Sequence, residues 1–409
     1  MKDLVGLRLV TLAAAVTAAV TLTADATAAH RRLPDWAKPQ IASIVSHGLM
    51  AQSVKGFRPN GPLTRQALLD LAYGLTLQLT PPPPAPDPAT TDPTSTLPTT
   101  TTDLTSTNPV GIDPTGAGPA STDPTPTDPT TTQPTPTPPP PVSNPQAPAT
   151  MARLDAQLVA SLDLTNAARE FAAGARAAGL RVPSRFGTEV VARLLGLRID
   201  HPAAEDYLEL RPQDPASRAE AAYSAARILA FGPFGSSWQV GWVQTLADSF
   251  ALPSLSPWQR RILTVAFSKI GMPYVWGGTS DNAEAPFGVP ARGGYDCSGF
   301  VWRVYKLQRY PNEGDLASVI RGRTTYVMSV EVPRAERIPF TKLQPADVLF
   351  FGARGPRSSS AQVDHTAIYV GNGWFIQSSG QGVALAQLTG WYRQKFAWAR
   401  RPLREAGLE

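Results

Sequence analysis

Apolar residues return at helical spacing in the first 80 residues and again beyond residue 150. Asp35-Trp36-Ala37 opens a stretch in which Ile41, Ile44, Val45 and Leu49 share one face, and Gly48 ends it. Thr64 stands where an N-cap would, ahead of a second helix carrying Leu68, Leu69 and Leu71. Between 166 and 197 the same spacing predicts a helix through Phe171 and Ala175, a stop at Gly179, and a helix through Val190, Val191 and Leu194. Ser217 is placed to cap a further helix, with Glu220 at the capping-box position. Trp238 to Leu252 reads as a short connecting helix.

From Pro257 the pattern changes. Trp258 to Ile270 is amphipathic through Ile262, Leu263, Val265, Ala266 and Ile270, and is stopped by Gly271 and Pro273. Cys297 to Arg309 presents Phe300, Val301, Val304 and Tyr305 on one face, with Cys297 in the first turn. Then short apolar runs take over. Asp347 to Phe351, His365 to Val370 and Trp374 to Ser378 predict strands, the last two joined at Gly371-Asn372-Gly373. The expected class is α+β: an all-α part followed by a mixed one.

Composition marks two segments that fit neither part. Lys2 and Arg8 precede an uncharged run from Leu9 to Leu22 and then Ala26-Thr27-Ala28-Ala29, so 1–29 reads as a secretory signal. The run falls short of the roughly 20 apolar residues of a membrane span. Of the 42 prolines, most fall within 80–150, a Pro/Thr-rich stretch without aromatic residues, Lys or Arg. It cannot bury enough apolar surface to offset its ordering entropy and is expected to be a disordered linker of at most about 3.1 Å per residue. The net charge of +5 comes without a dense basic run, which argues against nucleic acid as a partner.

The turn around Thr64 recurs. Leu210-Arg211-Pro212-Gln213-Asp214-Pro215-Ala216-Ser217-Arg218-Ala219-Glu220 matches Phe57-Arg58-Pro59-Asn60-Gly61-Pro62-Leu63-Thr64-Arg65, and a weaker copy spans 166–197. These residues resemble the S-layer homology (SLH) module, a helical unit usually found in threes. The resemblance implies repeat 1 at 34–79, repeats 2 and 3 within 151–235, and a connecting helix at 236–256. It also implies binding of a secondary cell-wall polymer through Trp36, Arg65 and Arg218. The middle copy has Gly187-Thr188-Glu189 where the Arg-bearing motif belongs. The alternative is that Trp36 and the arginines only pack and cap helices.

Cys297 is the sole cysteine and His365 the sole histidine of the C-terminal half. A lone thiol at a helix start, where the dipole favours an anion, with one imidazole downstream, suits thiolate chemistry on an acyl group. Gln377 is the candidate to orient the ring. A two-residue Asn-Gly turn alone would put His365 and Gln377 on opposite faces. A three-residue loop, or an equivalent bulge, sets 377 opposite 367 and diagonal to 365 on one face, about 7–8 Å between backbones.

Residues 257–402 resemble the NlpC-type cell-wall peptidases, of papain-like fold. The matching elements are Tyr274-Val-Trp-Gly-Gly278, Asp296-Cys297-Ser298-Gly299-Phe300, Pro345-Ala-Asp347, His365-Thr-Ala-Ile-Tyr-Val-Gly-Asn-Gly and Phe375-Ile-Gln377. The resemblance implies Cys297 as nucleophile, His365 as base and Gln377 as orienting residue. Tyr274, Asp296 and Ser298 would line the pocket for the amino end of a stem peptide. Family members usually carry His where Gln377 stands. Two inserts also depart, Thr279 to Gly293 and Pro311 to Pro339, and their Arg292, Arg321 and Arg323 read as solvated loop charges, the alternative being that the inserts rim the cleft and the arginines meet carboxylates there. Trp276 and Trp302 are expected in the core, and Asp296 also suits a helix cap. No cofactor or metal is implied.

The expected function is a secreted, wall-associated cysteine endopeptidase acting on peptidoglycan stem peptides, with the bond after D-Glu implied by the resemblance. The alternatives are an inactive, wall-binding domain and an acyltransferase or amidase on the same fold.

Overall fold

The computed structural model describes residues 34–80 and 140–409. The expected signal at 1–29 and most of the expected linker lie outside the described residues.

Seven helices build the first part: α1 (Lys38–Ser46), α2 (Arg65–Leu79), α3 (Met151–Ser161), α4 (Thr165–Ala177), α5 (Phe186–Leu194), α6 (Arg218–Leu229) and α7 (Gly232–Asp248). Three of them start alike. Thr64 accepts from the Ala67 amide, Thr150 from Arg153 and Ser217 from Glu220. The segments entering these caps bond to one another in a closed ring. Leu63 N–H donates to Ala216 O, Ala216 N–H to Ala149 O, and Ala149 N–H to Leu63 O, each at 2.8 Å. The local cause is a shared pattern, Pro59-x-x-Pro62-x-Thr64, Pro145-x-x-Pro148-x-Thr150 and Pro212-x-x-Pro215-x-Ser217. Each second proline holds an extended backbone and lacks an N–H, leaving the next amide to reach the neighbouring segment.

This ring corrects two expectations. The middle copy starts at Thr150, within the segment assigned to the linker, so residues 140–150 belong to the folded body. Gly187-Thr188-Glu189 sits instead in the first turn of α5. There a Cβ on Gly187 would stand 1.8 Å from Ala168 O, so the glycine permits close helix contact. The capping box at Ser217 is also incomplete. Glu220 is buried and turned towards His201 Nε2, 3.6 Å away.

The second part begins with α8 (Pro257–Ser268), closed by a Ser256–Gln259 capping box. A two-stranded pair, β1 (Thr279–Ser280) and β2 (Gly294–Tyr295), precedes α9 (Cys297–Trp302). After α10 (Thr325–Val330) comes an antiparallel sheet of order β6-β5-β4-β3-β7. Its strands are β3 (Val348–Gly352), β4 (Val363–Gly371), β5 (Trp374–Ser379), β6 (Gly382–Gln387) and β7 (Phe396–Arg400), and α11 (Gly390–Lys395) leads into the last. The Cys297 helix packs on β4 and β5. Leu349, Phe351, Phe375 and Phe396 form a smaller apolar cluster within this part, sealed by Phe340 and Tyr392. The class is α+β, as expected.

The two parts share one hydrophobic core running from Ala37 to Leu403. Phe186 stacks on Phe267 at 5.0 Å, and Trp374 meets the edges of Phe171 and Phe250. Arg193 donates to Gly271 O at 2.7 Å. Residues on both sides of 81–139 belong to this single body, so that segment does not separate the helical part from the mixed one.

Candidate active site

Asp296 caps the Cys297 helix, accepting from the Gly299 amide at 2.5 Å. The sulfur is half-buried at the first helical position and meets Thr325 Oγ1 at 3.4 Å. His365 arrives from β4, paired with Phe351 of β3. Gln377 arrives from β5. The hairpin between β4 and β5 turns on Asn372 and Gly373, with φ of 48° and 79°. Gly371 pairs with Trp374, but Tyr369 pairs with Phe375 and Ile368 with Ile376, so a bulge sits at Val370–Gly371. The turn is therefore two residues long, and the bulge beside it restores the register that sets 377 opposite 367.

The ring and the amide meet: His365 Nε2 lies 2.6 Å from Gln377 Oε1. Gln377 is 3% exposed, and its Nε2 donates to Tyr392 Oη at 2.7 Å. That second bond orients the amide, leaving the carbonyl oxygen for the ring N–H. Burial works against charge on both reacting groups. It pushes the Cys297 thiol up, yet the hydrogen bond and positive charge of His365 outweigh it, and the thiol titrates below its ordinary value. Burial likewise pulls His365 down, but bonding to Cys297, its charge, and Gln377 leave the imidazole above its ordinary value. The two shifts favour a thiolate–imidazolium pair.

Tyr274 bridges to Tyr295 and stands near this charge. Burial, then the negative charges of Cys297 and Asp296, hold its hydroxyl protonated well above the ordinary phenol range. Asp296 and Ser298 are differently placed than expected, because Arg323 occupies them. Its guanidinium donates to both Asp296 oxygens at 3.1 Å, to Ser298 Oγ at 2.7 Å, and to the carbonyls of Gly277 and Gly278. Asp296 also accepts from the amides of Gly277 and Gly299. Arg323 is thus no solvated loop charge but a brace between the insert and the Cys297 helix.

A cleft of about 410 Å³ opens beside His365. One wall is Tyr274 and Trp276; the other comes from the helical part, through Asp200, His201 and Asp206. Trp276, expected in the core, is 56% exposed here. Burial raises Asp200 to about 7, helped by the charges of Glu209 and Asp206. Burial raises Asp206 to about 6, even though the Trp276 amide donates to it at 2.9 Å.

The residues expected to hold a wall polymer make contacts within the fold. Arg218 donates to Phe57 O and Met50 O and covers the Phe57 ring. Arg65 donates to Ser143 O at 3.3 Å. Trp36 packs edge-on against His201, ring centroids 4.7 Å apart. Each fastens one copy of the repeat to another.

Comparison with known proteins agrees with this layout. The NlpC/P60 family matches residues 271–401, and the S-layer homology domain matches residues 33–69. Murein DD-endopeptidase MepH of Escherichia coli (strain K12) is 35% identical over 136 residues, 32% of this chain and 42% of its own. Gamma-D-glutamyl-L-lysine dipeptidyl-peptidase of Bacillus subtilis (strain 168) is 27% identical over 123 residues, 29% of this chain and 32% of its own. The chain thus spans less than half the length of these relatives. A solved NlpC/P60 family protein from Bacillus cereus ATCC 10987 is 25% identical, with a TM-score of 0.27, covering 37% of this chain and 42% of its own. Residues 271–401 are therefore an NlpC/P60 family domain, built into one core with an S-layer homology domain at residues 33–69.

Proposed function

We propose that this protein is a cysteine endopeptidase cutting peptidoglycan stem peptides at the bacterial cell wall. The observation that carries the reading is the line His365–Gln377–Tyr392, in which each polar group has its partner, beside a Cys297 thiol that His365 holds below its ordinary value. The Cys297 thiolate attacks the scissile carbonyl carbon, forming a C–S bond while the carbonyl oxygen takes the electron pair. The Tyr274 hydroxyl and the unpaired first-turn amides are the donors suited to that oxyanion. Collapse breaks the C–N bond, and the His365 imidazolium gives its proton to the leaving amine. Water then attacks the thioester, His365 accepts its proton, and the thiolate departs.

The bond we propose is the one after D-Glu in a peptide with a free amino end. Asp296 and Ser298 are held by Arg323, whereas Asp200 and Asp206 face the cleft and suit an ammonium group. Export through 1–29 and retention at the wall by the S-layer homology domain complete the proposal.

The test is digestion of purified sacculi by the full chain and by Cys297→Ala, with mass analysis of the fragments. New amino termini on peptide products, absent with the variant, support the reading. Equal digestion by both removes it. A second reading, an inactive wall binder, is favoured by Gln377, which cannot take up charge. A Cys297 no more reactive at neutral pH than a free thiol would support that rival.

A further inference from the structure

Away from the catalytic cleft, four arginines line one open groove of about 570 Å³ where the helical part meets the NlpC/P60 domain. Arg181 follows α4, Arg260 and Arg261 lie on α8, and Arg309 with Tyr310 follows the Cys297 helix. No Asp or Glu lines it among the described residues. Arg309 pairs with Glu313 at 2.8 Å, one carboxylate against four guanidinium groups, so the groove keeps a surplus of positive charge.

We propose that this groove binds an anionic wall polysaccharide, a chain bearing phosphodiester or carboxylate groups. Two features show the arginines placed rather than scattered. Arg261 lies over the Trp258 ring at 4.6 Å and donates one N–H to Pro311 O. Arg260 donates one N–H to Leu255 O at 2.6 Å and packs its stem on Gly179, where a Cβ would stand 2.9 Å from Arg260 Cδ. Each guanidinium has five N–H donors, so these contacts fix the stems and leave most of each fork for a ligand. A fork suits phosphate and carboxylate oxygens in pairs, and a groove of about 570 Å³ takes a chain segment rather than a single ion. The contrast with Arg218 supports the assignment, because that residue spends two donors on backbone carbonyls of the repeat. The proposal rests on the wall setting only for the source of the polymer. It places a second wall contact on the body that carries the catalytic cleft.

The test uses the full chain carrying Cys297→Ala, so that binding is read without digestion. The probes are polyglycerol phosphate, polygalacturonate, and sacculi with or without removal of their phosphodiester-linked polymers. The triple variant Arg181→Gln, Arg261→Gln, Arg309→Gln is compared with a control triple at exposed sites elsewhere, Lys55→Gln, Arg153→Gln, Arg334→Gln. Expected is a loss of about tenfold or more for the groove triple, less than twofold for the control, and weaker binding as salt rises from about 0.01 to about 0.15 M. Preference for one soluble probe identifies the anionic group. The proposal is overturned if the groove triple binds like its parent, if both triples lose equally, if neither soluble probe binds, or if double-stranded DNA of equal charge binds as well. With Cys297 restored, the groove triple should cut a soluble stem peptide at the parent rate. Absence of cutting by the parent would defeat the catalytic reading and leave the binding result standing.

Discussion

Two polar networks lie in one core, and they are built in opposite ways. In the NlpC/P60 domain the groups are few: an imidazole, an amide and a phenol in line, and a thiol that meets Thr325. In the helical part they are crowded. Asp155, Glu189, Arg193, Arg198, His201, Glu209 and Glu220 are all buried, with Arg193 between Asp155 and Glu189 and Arg198 at 2.6 Å from Asp155. Among the described residues, Asp155 Oδ1, both Glu189 oxygens and His201 Nε2 have no hydrogen-bond partner. The line activates one group. The crowd joins the repeat to the catalytic part, through Arg193 and Gly271 O, at a cost in stability that depends on pH.

The largest expected effect follows from breaking the crowd. Arg193→Met leaves two buried carboxylates facing each other without that cation and should lower unfolding free energy by about 3–5 kcal/mol. Denaturant titration reads it, and the surviving folded fraction should retain peptide cutting at low temperature. A loss under about 1 kcal/mol would mean that water already solvates the cluster.

Breaking the line should instead spare stability and lower activity. Gln377→Leu removes the acceptor from His365 and should cut kcat/KM by about 10²-fold, or about 2.7 kcal/mol of transition-state stabilisation. Tyr392→Phe frees the amide to rotate and should lose about tenfold, with KM nearly constant. An unchanged kcat in both would show that the ring needs no orienting partner.

A smaller effect separates the networks by pH. Glu220 and Asp200 are raised to about 7, by burial first. A carboxyl whose folded pKa exceeds its unfolded value loses stability as pH climbs between the two, so Tm should fall from about pH 5 to about 7.5. The raised His201 acts in the same sense, its contribution being lost as pH rises through its folded pKa. The lowered Cys297 thiol acts oppositely and is one group against several. Glu220→Gln should flatten the slope; a slope that is unchanged, or a Tm that rises with pH in wild type, contradicts the assignment.

The same contrast governs what the sequence made legible. The proposed catalytic line sits in short local motifs around Cys297, His365 and Gln377, and the one ambiguity, hairpin register, reduced to a bulge that the glycines flanking Asn372 accommodate. Its supports were hidden. Tyr392 reaches Gln377 from a helix 15 positions later, and Arg323 reaches Asp296 across an insert, with no spacing to announce either. In the helical part the third cap was masked by composition, since Pro145-Gln-Ala-Pro148-Ala-Thr150 continues the Pro/Thr-rich run. Aligned with 59–64 and 212–217, its prolines and hydroxyl were the available signal. Glu220 left its capping position because His201, far from it in sequence, lies buried beside it.

The claim that the thiol of Cys297 is held as an anion by His365 can be read directly from its alkylation rate against pH. The account predicts a rate that climbs at lower pH than in His365→Ala, where it climbs through the ordinary thiol range near pH 8.5. A wild-type rate that climbs through that same range, indistinguishable from the variant, would contradict it.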